Sequence, residues 1–202
     1  MNGALPMVRA IQALHQKYAP NQEVFDLVWV HCRIVADIAA QLAARSETGA
    51  NKELVRVGCL LHDIGVYTLY TETGYDKTKP YITHGICGEE ILRGEGFDRA
   101  IYRFASHHTG AGLTKKQIVE RKLPLPAMDF LAETIEEELV MYADKFHSKT
   151  TPPHFNSYEY YASYSARFGE EASVGFARLA EKFGKPDLIP LILKYGHDLQ
   201  DV

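Results

Sequence analysis

Cysteine and long apolar runs are scarce in this sequence, and each scarcity excludes a class of protein. The three cysteines, Cys32, Cys59 and Cys87, are odd in number and no two are spaced as CxxC. Neither a disulfide framework nor a zinc ribbon is therefore predicted. The first residues lack the apolar core of a signal peptide, and no run approaches the roughly 20 apolar residues of a membrane span. These absences predict a reduced, cytoplasmic protein with no membrane partner.

Positive charge is also in short supply. The 22 lysines and arginines are outnumbered by 26 acidic residues, which gives a net charge of −4. Such a surface does not attract polyanions over its whole area, so no nucleic-acid polymer is expected as a partner. A small phosphorylated ligand needs only a local positive site and remains compatible with this charge.

Alternating β patterns are nearly absent, and helical periodicity dominates. Apolar residues recur at three- and four-residue steps from Val24 to Leu42, which predicts a long amphipathic helix. Further helices are predicted behind candidate N-caps, at Asn51, Thr83, Asp98, Thr114 and Thr134. We predict an all-α fold, a compact bundle of about eight to nine helices, because one sizeable core is affordable at 202 residues. The prediction is a single domain over 1–202.

The C-terminal part is predicted to pack on an earlier core. The core covers about 20–150, and three shorter helical patterns follow at 157–168, 170–183 and 187–199. A polar loop is predicted at 70–81, and a second loop, rich in turn residues, after Asp144.

The strongest local motif is the adjacent pair His62 and Asp63, at the end of VRVGCLLHD. A histidine and a carboxylate in an apolar helix are costly unless both are satisfied, and a divalent cation satisfies both. Adjacent side chains diverge by about 100° on a helix, so they can share one ion only where the helix ends. Gly65 is the predicted terminator.

Two more polar residues lie at apolar positions of other predicted helices. They are His31, in FDLVWVHCRIV, and Asp144, in IEEELVMYADKF. Each alone is better explained as a hydrogen-bonded buried histidine or a salt-bridged aspartate. Together with His62 and Asp63 they favour one metal site, because the four are hard to explain separately.

The pattern H…HD…D on successive helices resembles that of the HD superfamily of metal-dependent phosphohydrolases, and HDIG begins at His62. The resemblance covers about residues 20–150. THGICGEEILRGEGF and FASHHTGAG resemble ligand segments of its HDIG-type and dinuclear branches. The resemblance therefore implies His84 and His108 as ligands of a second ion that shares Asp63, with His107 as an additional candidate.

The same resemblance leaves the phosphate contact to be assigned. Many relatives have a lysine directly after HDIG, where this chain has Val66. Lys145 and Lys149 are the candidates for substrate binding, and their alternative is a solvated helix end.

The resemblance implies hydrolysis of a phosphomonoester or phosphoanhydride, such as that of a nucleotide. His62 and Asp63 would be catalytic, with one or two divalent transition-metal ions (Fe, Mn, Ni, Co or Zn) as cofactor. Two alternatives stay open: a mixed-valence di-iron oxygenase with the same six-ligand pattern, and a non-catalytic nucleotide-binding regulatory module. The missing GYP element argues against an HD-GYP phosphodiesterase. The oligomeric state is open, with a homodimer as one option.

The remaining candidates receive structural interpretations. His15, His154 and His197 are interpreted as surface or loop residues, and His147 as part of a solvated face rather than a support for the ligands. The cysteines are interpreted as small packing residues. The tyrosines of 158–164 are interpreted as a helix face packed on the core, with base stacking as the alternative.

Overall fold

A computed structural model describes residues 5–45 and 48–202, and its helices and strands all lie within those ranges. The α-helices are α1 Val8–Tyr18, α2 Gln22–Arg45, α3 Lys52–Leu61, α4 His84–Gly94, α5 Arg99–Ser106, α6 Lys115–Glu120, α7 Ile135–Asp144, α8 Tyr158–Ala166, α9 Glu170–Phe183 and α10 Ile189–Tyr195. Two 3-10 helices, Ile64–Leu69 and Tyr81–Thr83, lie between α3 and α4. The all-α prediction is confirmed, and α1 is the helix that the predicted set of eight to nine did not contain.

Five short strands lie in the segments outside the helices. They are β1 Tyr70–Thr71, β2 Gly74–Tyr75, β3 His147–Ser148, β4 His154–Asn156 and β5 Asp198–Gln200. β1 and β2 form an antiparallel hairpin inside the predicted loop 70–81. β3 pairs antiparallel with β4, and β4 pairs parallel with β5. The helix predicted over 187–199 ends at Tyr195, because Gly196 adopts a left-handed φ of 70° and the chain then extends into β5.

Side-chain caps begin most of the predicted helices. The Asn51 side chain accepts hydrogen bonds from the backbone N–H groups of Glu53 and Leu54, and Asp98 caps α5 in the same way. Thr114 forms a complete capping box with Gln117 at α6. Thr83 lies at the expected N-cap of α4, but its hydroxyl donates to the carbonyl of Pro80 instead. The polar residues that the sequence offers before each apolar run therefore determine where the helices begin.

Helix α2 connects two apolar clusters. Its first half, with Val28 and Trp29, packs beside α1, α3 and the first 3-10 helix. Its second half, with Ile34 and Ile38, packs against α7, α9 and α10. Among the described helices, α2 alone is long and apolar enough to cross a membrane, by length and composition only, and 56% of that apolar window is buried. The buried face is the one that a central helix of a folded bundle requires.

Candidate metal centre

Four of the predicted ligands converge at the middle of the bundle. The ligand atoms of His31, His62, Asp63 and Asp144 all lie within 4.8 Å of one another. His31 Nε2 lies 3.1 Å from Asp63 Oδ2 and 3.0 Å from Asp144 Oδ1. His62 Nε2 lies 3.3 Å and 3.4 Å from the same two oxygens. We call these four residues the first ligand group.

The end of α3 brings His62 and Asp63 to one point. His62 keeps helical angles (φ −55°, ψ −33°), and Asp63 leaves them (φ −106°, ψ 12°). The divergence expected on a continuous helix is thereby removed. The predicted role of Gly65 as the terminator is wrong, because α3 ends at Leu61 and Gly65 lies inside the following 3-10 helix.

Gly65 instead allows α4 to approach the HD turn. A Cβ at Gly65 would lie 2.0 Å from the carbonyl oxygen of His84 and 2.3 Å from the backbone N of Gly88. Neither backbone atom can move without displacing α4. The glycine is therefore needed for the close approach that carries His84 to the centre.

A second ligand group shares Asp63. It consists of Asp63, His84 and His108, whose ligand atoms also lie within 4.8 Å of one another. Asp63 Oδ1 lies 3.4 Å from His84 Nε2 and 3.6 Å from His108 Nε2. The two imidazole nitrogens are 3.0 Å apart. Asp63 thus presents Oδ2 to the first group and Oδ1 to the second.

The far nitrogen of each of three histidines is held by a backbone carbonyl. Nδ1 of His62 lies 2.7 Å from the carbonyl oxygen of Cys59, and His84 and His108 pair in the same way with Tyr81 (2.7 Å) and Phe104 (3.0 Å). Because a carbonyl only accepts, each Nδ1 carries the proton and each Nε2 directs a lone pair to the centre. Burial lowers the pKa of His84 to about 3, which keeps its imidazole neutral.

This donor set fits a divalent transition metal. Imidazole Nε2 atoms and carboxylates face each other with no proton between them, and such an arrangement is stabilised by a cation. Both oxygens of Asp63 are fully buried, and among the described residues neither has a hydrogen-bond partner beyond the ion pair of Oδ2 with the Lys149 ammonium. Burial would raise the pKa of Asp63, but the ammonium of Lys149 holds it well below its usual range, so the carboxylate is ionised.

Lys149 is one of two lysines that contact the first ligand group. Its ammonium forms an ion pair with Asp63 Oδ2 and lies 3.2 Å from His31 Nε2. The side chain is only 12% exposed. Burial would lower the pKa of Lys149, but the carboxylates of Asp63 and Asp144 hold it well above its usual range. A positive charge therefore lies directly against the first ligand group.

Lys145 is also buried, and its ammonium has two partners. It lies 2.7 Å from Asp144 Oδ2 and 2.9 Å from the carbonyl oxygen of His108. It therefore links a residue of the first ligand group to one of the second. The alternative of a solvated helix end does not describe either lysine.

His107 is not brought into either group. Arg103 donates to its Nε2 at 2.8 Å, and its Nδ1 lies 2.6 Å from the hydroxyl of Ser106. Arg103 in turn forms a buried ion pair with Glu137, 2.7 Å from Nε to Oε1. Its neighbours therefore give His107 a structural role in this arrangement.

The interpretation of His147 as part of a solvated face is wrong. This side chain is buried, with its Nδ1 2.8 Å from Nδ1 of His31 and its Nε2 2.9 Å from Nδ1 of His197. Burial and the neighbouring His31 lower the pKa of His147, so it is neutral. It can then accept the Nδ1 proton of His31, as the carbonyls do for the other three histidines. Its position one turn after Asp144 was the only signal in the sequence.

The interpretation of His15 as a surface or loop residue is also wrong. It is fully buried, and its ring nitrogens lie 2.8 Å from the hydroxyl of Tyr67 and 2.7 Å from the carbonyl oxygen of Leu60. His154 and His197 are partly exposed and lie in or beside the β3–β4–β5 sheet. Of the cysteines, Cys32 and Cys59 are buried as expected, and Cys87 is partly buried. Burial raises the pKa of Cys59 to about 12, so its thiol stays protonated.

Two cavities open on the ligand groups. One, of about 490 Å³, extends past His147 and Asn156 to His154, and we call it the His154 lobe. The other, of about 440 Å³, borders His84 and His108 and extends to Phe168; we call it the Phe168 lobe. The lobes share six lining residues: Tyr81, Asp144, Lys145, Lys149, Tyr161 and Tyr164. The shared wall therefore carries both lysines and one carboxylate of the centre.

A family model and two relatives match this chain over more than half of its length. The HD domain family model matches residues 28–149. An uncharacterized protein of Methanocaldococcus jannaschii, MJ0778, is 40% identical over 118 residues, which cover 56% of this chain and 62% of that protein. A tRNA (cytidine(56)-2'-O)-methyltransferase of Picrophilus torridus is 38% identical over 125 residues, which cover 61% of this chain and 32% of that protein. The chain thus spans less than two thirds of either relative.

The HD domain of the L. monocytogenes phosphodiesterase PgpH, in complex with cyclic-di-AMP, is 20% identical and covers 95% of this chain and 100% of its own, with a TM-score of 0.49. The family model alone spans more than half of the 202 residues and contains every residue of both ligand groups. The chain belongs to the HD domain family.

Proposed function

We propose that this protein is a metal-dependent phosphohydrolase that acts on a phosphomonoester or phosphoanhydride of a nucleotide. The observation that carries the proposal is Asp63, whose two buried oxygens are directed to two adjoining histidine groups. Membership of the HD domain family supports the same class of reaction. In this proposal His31, His62, Asp63 and Asp144 hold one ion, and Asp63, His84 and His108 hold a second.

The metal supplies what the side chains lack. A divalent ion in such a site is a Lewis acid toward phosphoryl oxygen and lowers the pKa of water toward neutrality. Asp63 and His62 hold this chemistry in place, which is the catalytic role that we assign to them. The lone pairs of four Nε2 atoms and two carboxylates suit Fe, Mn, Ni, Co or Zn better than Mg or Ca, which favour all-oxygen sites.

The lysines supply the positive charge for the substrate. Lys149 and Lys145 both line the wall shared by the two lobes, where a phosphate would lie next to the ligand groups. An ammonium is a compact charge on a flexible stem, so Lys149 can exchange its contact with Asp63 for a phosphate oxygen. The methyltransferase activity named for one relative belongs to a protein of which the match covers only 32%.

The test is phosphate release from protein that has been stripped with a chelator and reloaded with single metals. We expect release from one or more nucleoside mono-, di- or triphosphates with a transition metal, and none without it. Asp63→Asn should remove activity with helical circular dichroism unchanged, and Asp26→Asn, at an exposed position on α2, should not. Unchanged turnover in metal-free protein would contradict the proposal. Activity confined to iron with O₂ would favour the oxygenase alternative.

A further inference from the structure

Three histidine rings follow one another outward from the first ligand group. Nδ1 of His31 lies 2.8 Å from Nδ1 of His147, and Nε2 of His147 lies 2.9 Å from Nδ1 of His197. The ring centroids are 5.1 Å apart in both pairs. We call these three residues the histidine row. The row connects a buried residue of the metal centre to a partly exposed residue near the C-terminus.

The small C-terminal sheet places His197 against His147, although the two are 50 residues apart in the sequence. The left-handed φ of 70° at Gly196 ends α10, and the chain then enters β5. β5 pairs with β4, and β4 pairs with β3, which begins at His147. Phe155 of β4 is buried, and its ring centroid lies 5.1 Å from that of His147 and 6.2 Å from that of His197. Strand pairing and this packing fix the contact between the two histidines.

The ligand role of His31 determines where each proton of the histidine row lies. A neutral imidazole carries one N–H. Nε2 of His31 is the nitrogen that faces Asp63 and Asp144, so a metal-binding His31 carries its proton on Nδ1. Nδ1 of His147 must then accept that proton, which leaves the proton of His147 on Nε2. Nδ1 of His197 accepts this second proton, and the proton of His197 itself is on Nε2.

The Nε2 proton of His147 depends on His197 for an acceptor. His147 is buried, and among the described residues its Nε2 has no hydrogen-bond partner other than His197. A buried N–H without an acceptor is costly. In the reverse order His147 would donate from Nδ1, and His31 would carry its proton on Nε2, the atom that the ion needs. An acceptor at His197 therefore favours the order in which His31 can bind metal.

The surroundings of His197 suit it to this role. Burial lowers the pKa of its imidazole, and the carboxylate of Asp198 opposes that effect only in part, so the ring is neutral at neutral pH. The side chain lines a third cavity, of about 540 Å³, together with Asn21 and Thr151. Because the ring is partly exposed there, water can accept its Nε2 proton while Nδ1 accepts from His147.

From this arrangement we propose that His197 is a positioning residue for the first metal ion. By accepting the Nε2 proton of His147, it keeps the proton of His31 on Nδ1 and leaves the lone pair of His31 Nε2 for the ion. The proposal rests on the metal site of the proposed function and adds a residue to it. His197 lies outside the matched family region, 28–149, so the C-terminal part of this chain supplies this support.

The order of the protons is measured in the wild type, without any variant. Full-length, Zn²⁺-loaded protein with ¹⁵N-labelled histidine distinguishes protonated from unprotonated ring nitrogens. We expect the protons on Nδ1 of His31 and on Nε2 of both His147 and His197. A proton on Nδ1 of His197, or on Nδ1 of His147, would overturn the proposal, because His197 would then not be the acceptor.

Two variants of nearly the same shape separate the acceptor from the packing of the side chain. His197→Asn keeps an oxygen close to the position of Nδ1, and His197→Leu has a methyl group there. His154→Leu is the matched control, because His154 belongs to the same sheet and its Nδ1 contacts only Thr150 and Pro152. Zn²⁺ affinity is measured on the full chain by competition with a chromogenic chelator, after circular dichroism has shown that each variant is folded.

We expect His197→Leu to weaken the binding of one ion by about 10-fold and to shift the ¹⁵N resonances of His147. His197→Asn and His154→Leu should keep the wild-type affinity. In a His84→Ala background, where the second group has lost a ligand, the effect of His197→Leu should persist. An unchanged affinity in His197→Leu would overturn the proposal. So would an equal loss in His197→Asn, since the ring itself rather than its acceptor would then be needed.

The reaction is measured separately, as phosphate release from the same proteins. If His197→Leu weakens Zn²⁺ binding but the wild type hydrolyses no phosphate compound with any metal, the proposed function is overturned and the positioning role stands. If the wild type is a metal-dependent phosphohydrolase whose metal affinity His197→Leu does not change, this inference is overturned and the proposed function stands.

Discussion

Asp63 and its neighbours show how single residues create the centre. Its carboxylate presents one oxygen to each ligand group, and three of the five converging side chains around it are oriented by backbone carbonyls. The sequence predicted His31, His62, Asp63 and Asp144 because polar residues occupy apolar helix positions, and the resemblance to the HD superfamily implied His84 and His108. It could not predict the orientation of the rings, because the carbonyls that hold them are set by backbone packing rather than by residue type.

Gly65 provides a residue-scale prediction about packing. Gly65→Ala should lower the free energy of unfolding by about 2 kcal/mol or more, because the added Cβ meets backbone atoms of α4. Urea unfolding followed by circular dichroism measures the change. Gly94→Ala is the matched control, because Gly94 lies in α4 and a Cβ added there would have no atom within 4 Å. It should be neutral or stabilising by up to about 1 kcal/mol. Equal effects of the two substitutions would show that the close approach is not needed.

His147 provides a second prediction at this scale. His147→Leu removes the acceptor for the Nδ1 proton of His31, so Nε2 of His31 is no longer fixed toward the ligand group. We expect metal affinity to fall by roughly 10- to 100-fold, measured by competition with a chromogenic chelator. ¹⁵N spectra should show a change in the tautomer of His31. His154→Leu, at a partly exposed histidine of the neighbouring strand, is the control and should keep the wild-type affinity. An unchanged affinity and tautomer in His147→Leu would remove the positioning role.

At the scale of elements, helix starts could be predicted and long-range pairings could not. The caps at Asn51, Asp98 and Thr114 depend on residues two or three positions away, so local sequence contains them. β5 depends on pairing with β4, more than 40 residues earlier, and its own residues resemble a continued helix. Such a strand is determined by tertiary contact, which local periodicity does not report.

Helix α1 illustrates the same limit. Its buried residues are only Ile11 and His15, so its apolar stripe is weak. His15 docks α1 by bridging the hydroxyl of Tyr67 and the carbonyl oxygen of Leu60. A buried histidine with two partners cannot be distinguished in sequence from an exposed one, which is why it was assigned to the surface.

The docking of α1 should depend on pH. Burial lowers the pKa of His15 to about 4, against about 6.5 in the unfolded chain. Between these values the unfolded chain binds the proton and the folded chain does not, so stability falls as pH decreases from about 6.5 to 4 and is fully present above that window. By pH 4.5 the folded protein has lost about 2 to 3 kcal/mol of stability through this group, relative to neutral pH.

The variant His15→Gln isolates this contribution. Urea unfolding at pH 7.5 and pH 4.5 should show a smaller loss of stability in the variant than in the wild type, since all other titrating groups are common to both. The variant should be the less stable protein at pH 7.5, where the native hydrogen bonds are intact. An identical pH dependence in the two proteins would mean that His15 is not buried in its neutral form.

At the scale of the whole molecule, the C-terminal segment contacts the ligand groups that the earlier helices form. The segment after α7 supplies Lys149 and the aromatic residues Tyr160, Tyr164 and Phe168 that line the lobes. It also supplies His197, which contacts His147 behind the first ligand group. The same segment buries Phe155, Phe176 and Phe183 against α2 and α7. The sequence resemblance ends near residue 150, so the residues of the two ligand groups could be predicted from it, whereas the C-terminal residues that line the two lobes lie outside it.

The metal stoichiometry of the full chain tests the central claim most directly. Metal-free protein is titrated with Mn²⁺ or Zn²⁺, and the ions retained after gel filtration are counted by mass spectrometry. We predict about two ions per chain in the wild type, about one in His84→Ala, and none tightly bound in Asp63→Ala, with the helical content of all three unchanged. A wild type that retains no ion, or Asp63→Ala that retains the same number as the wild type, would contradict the account.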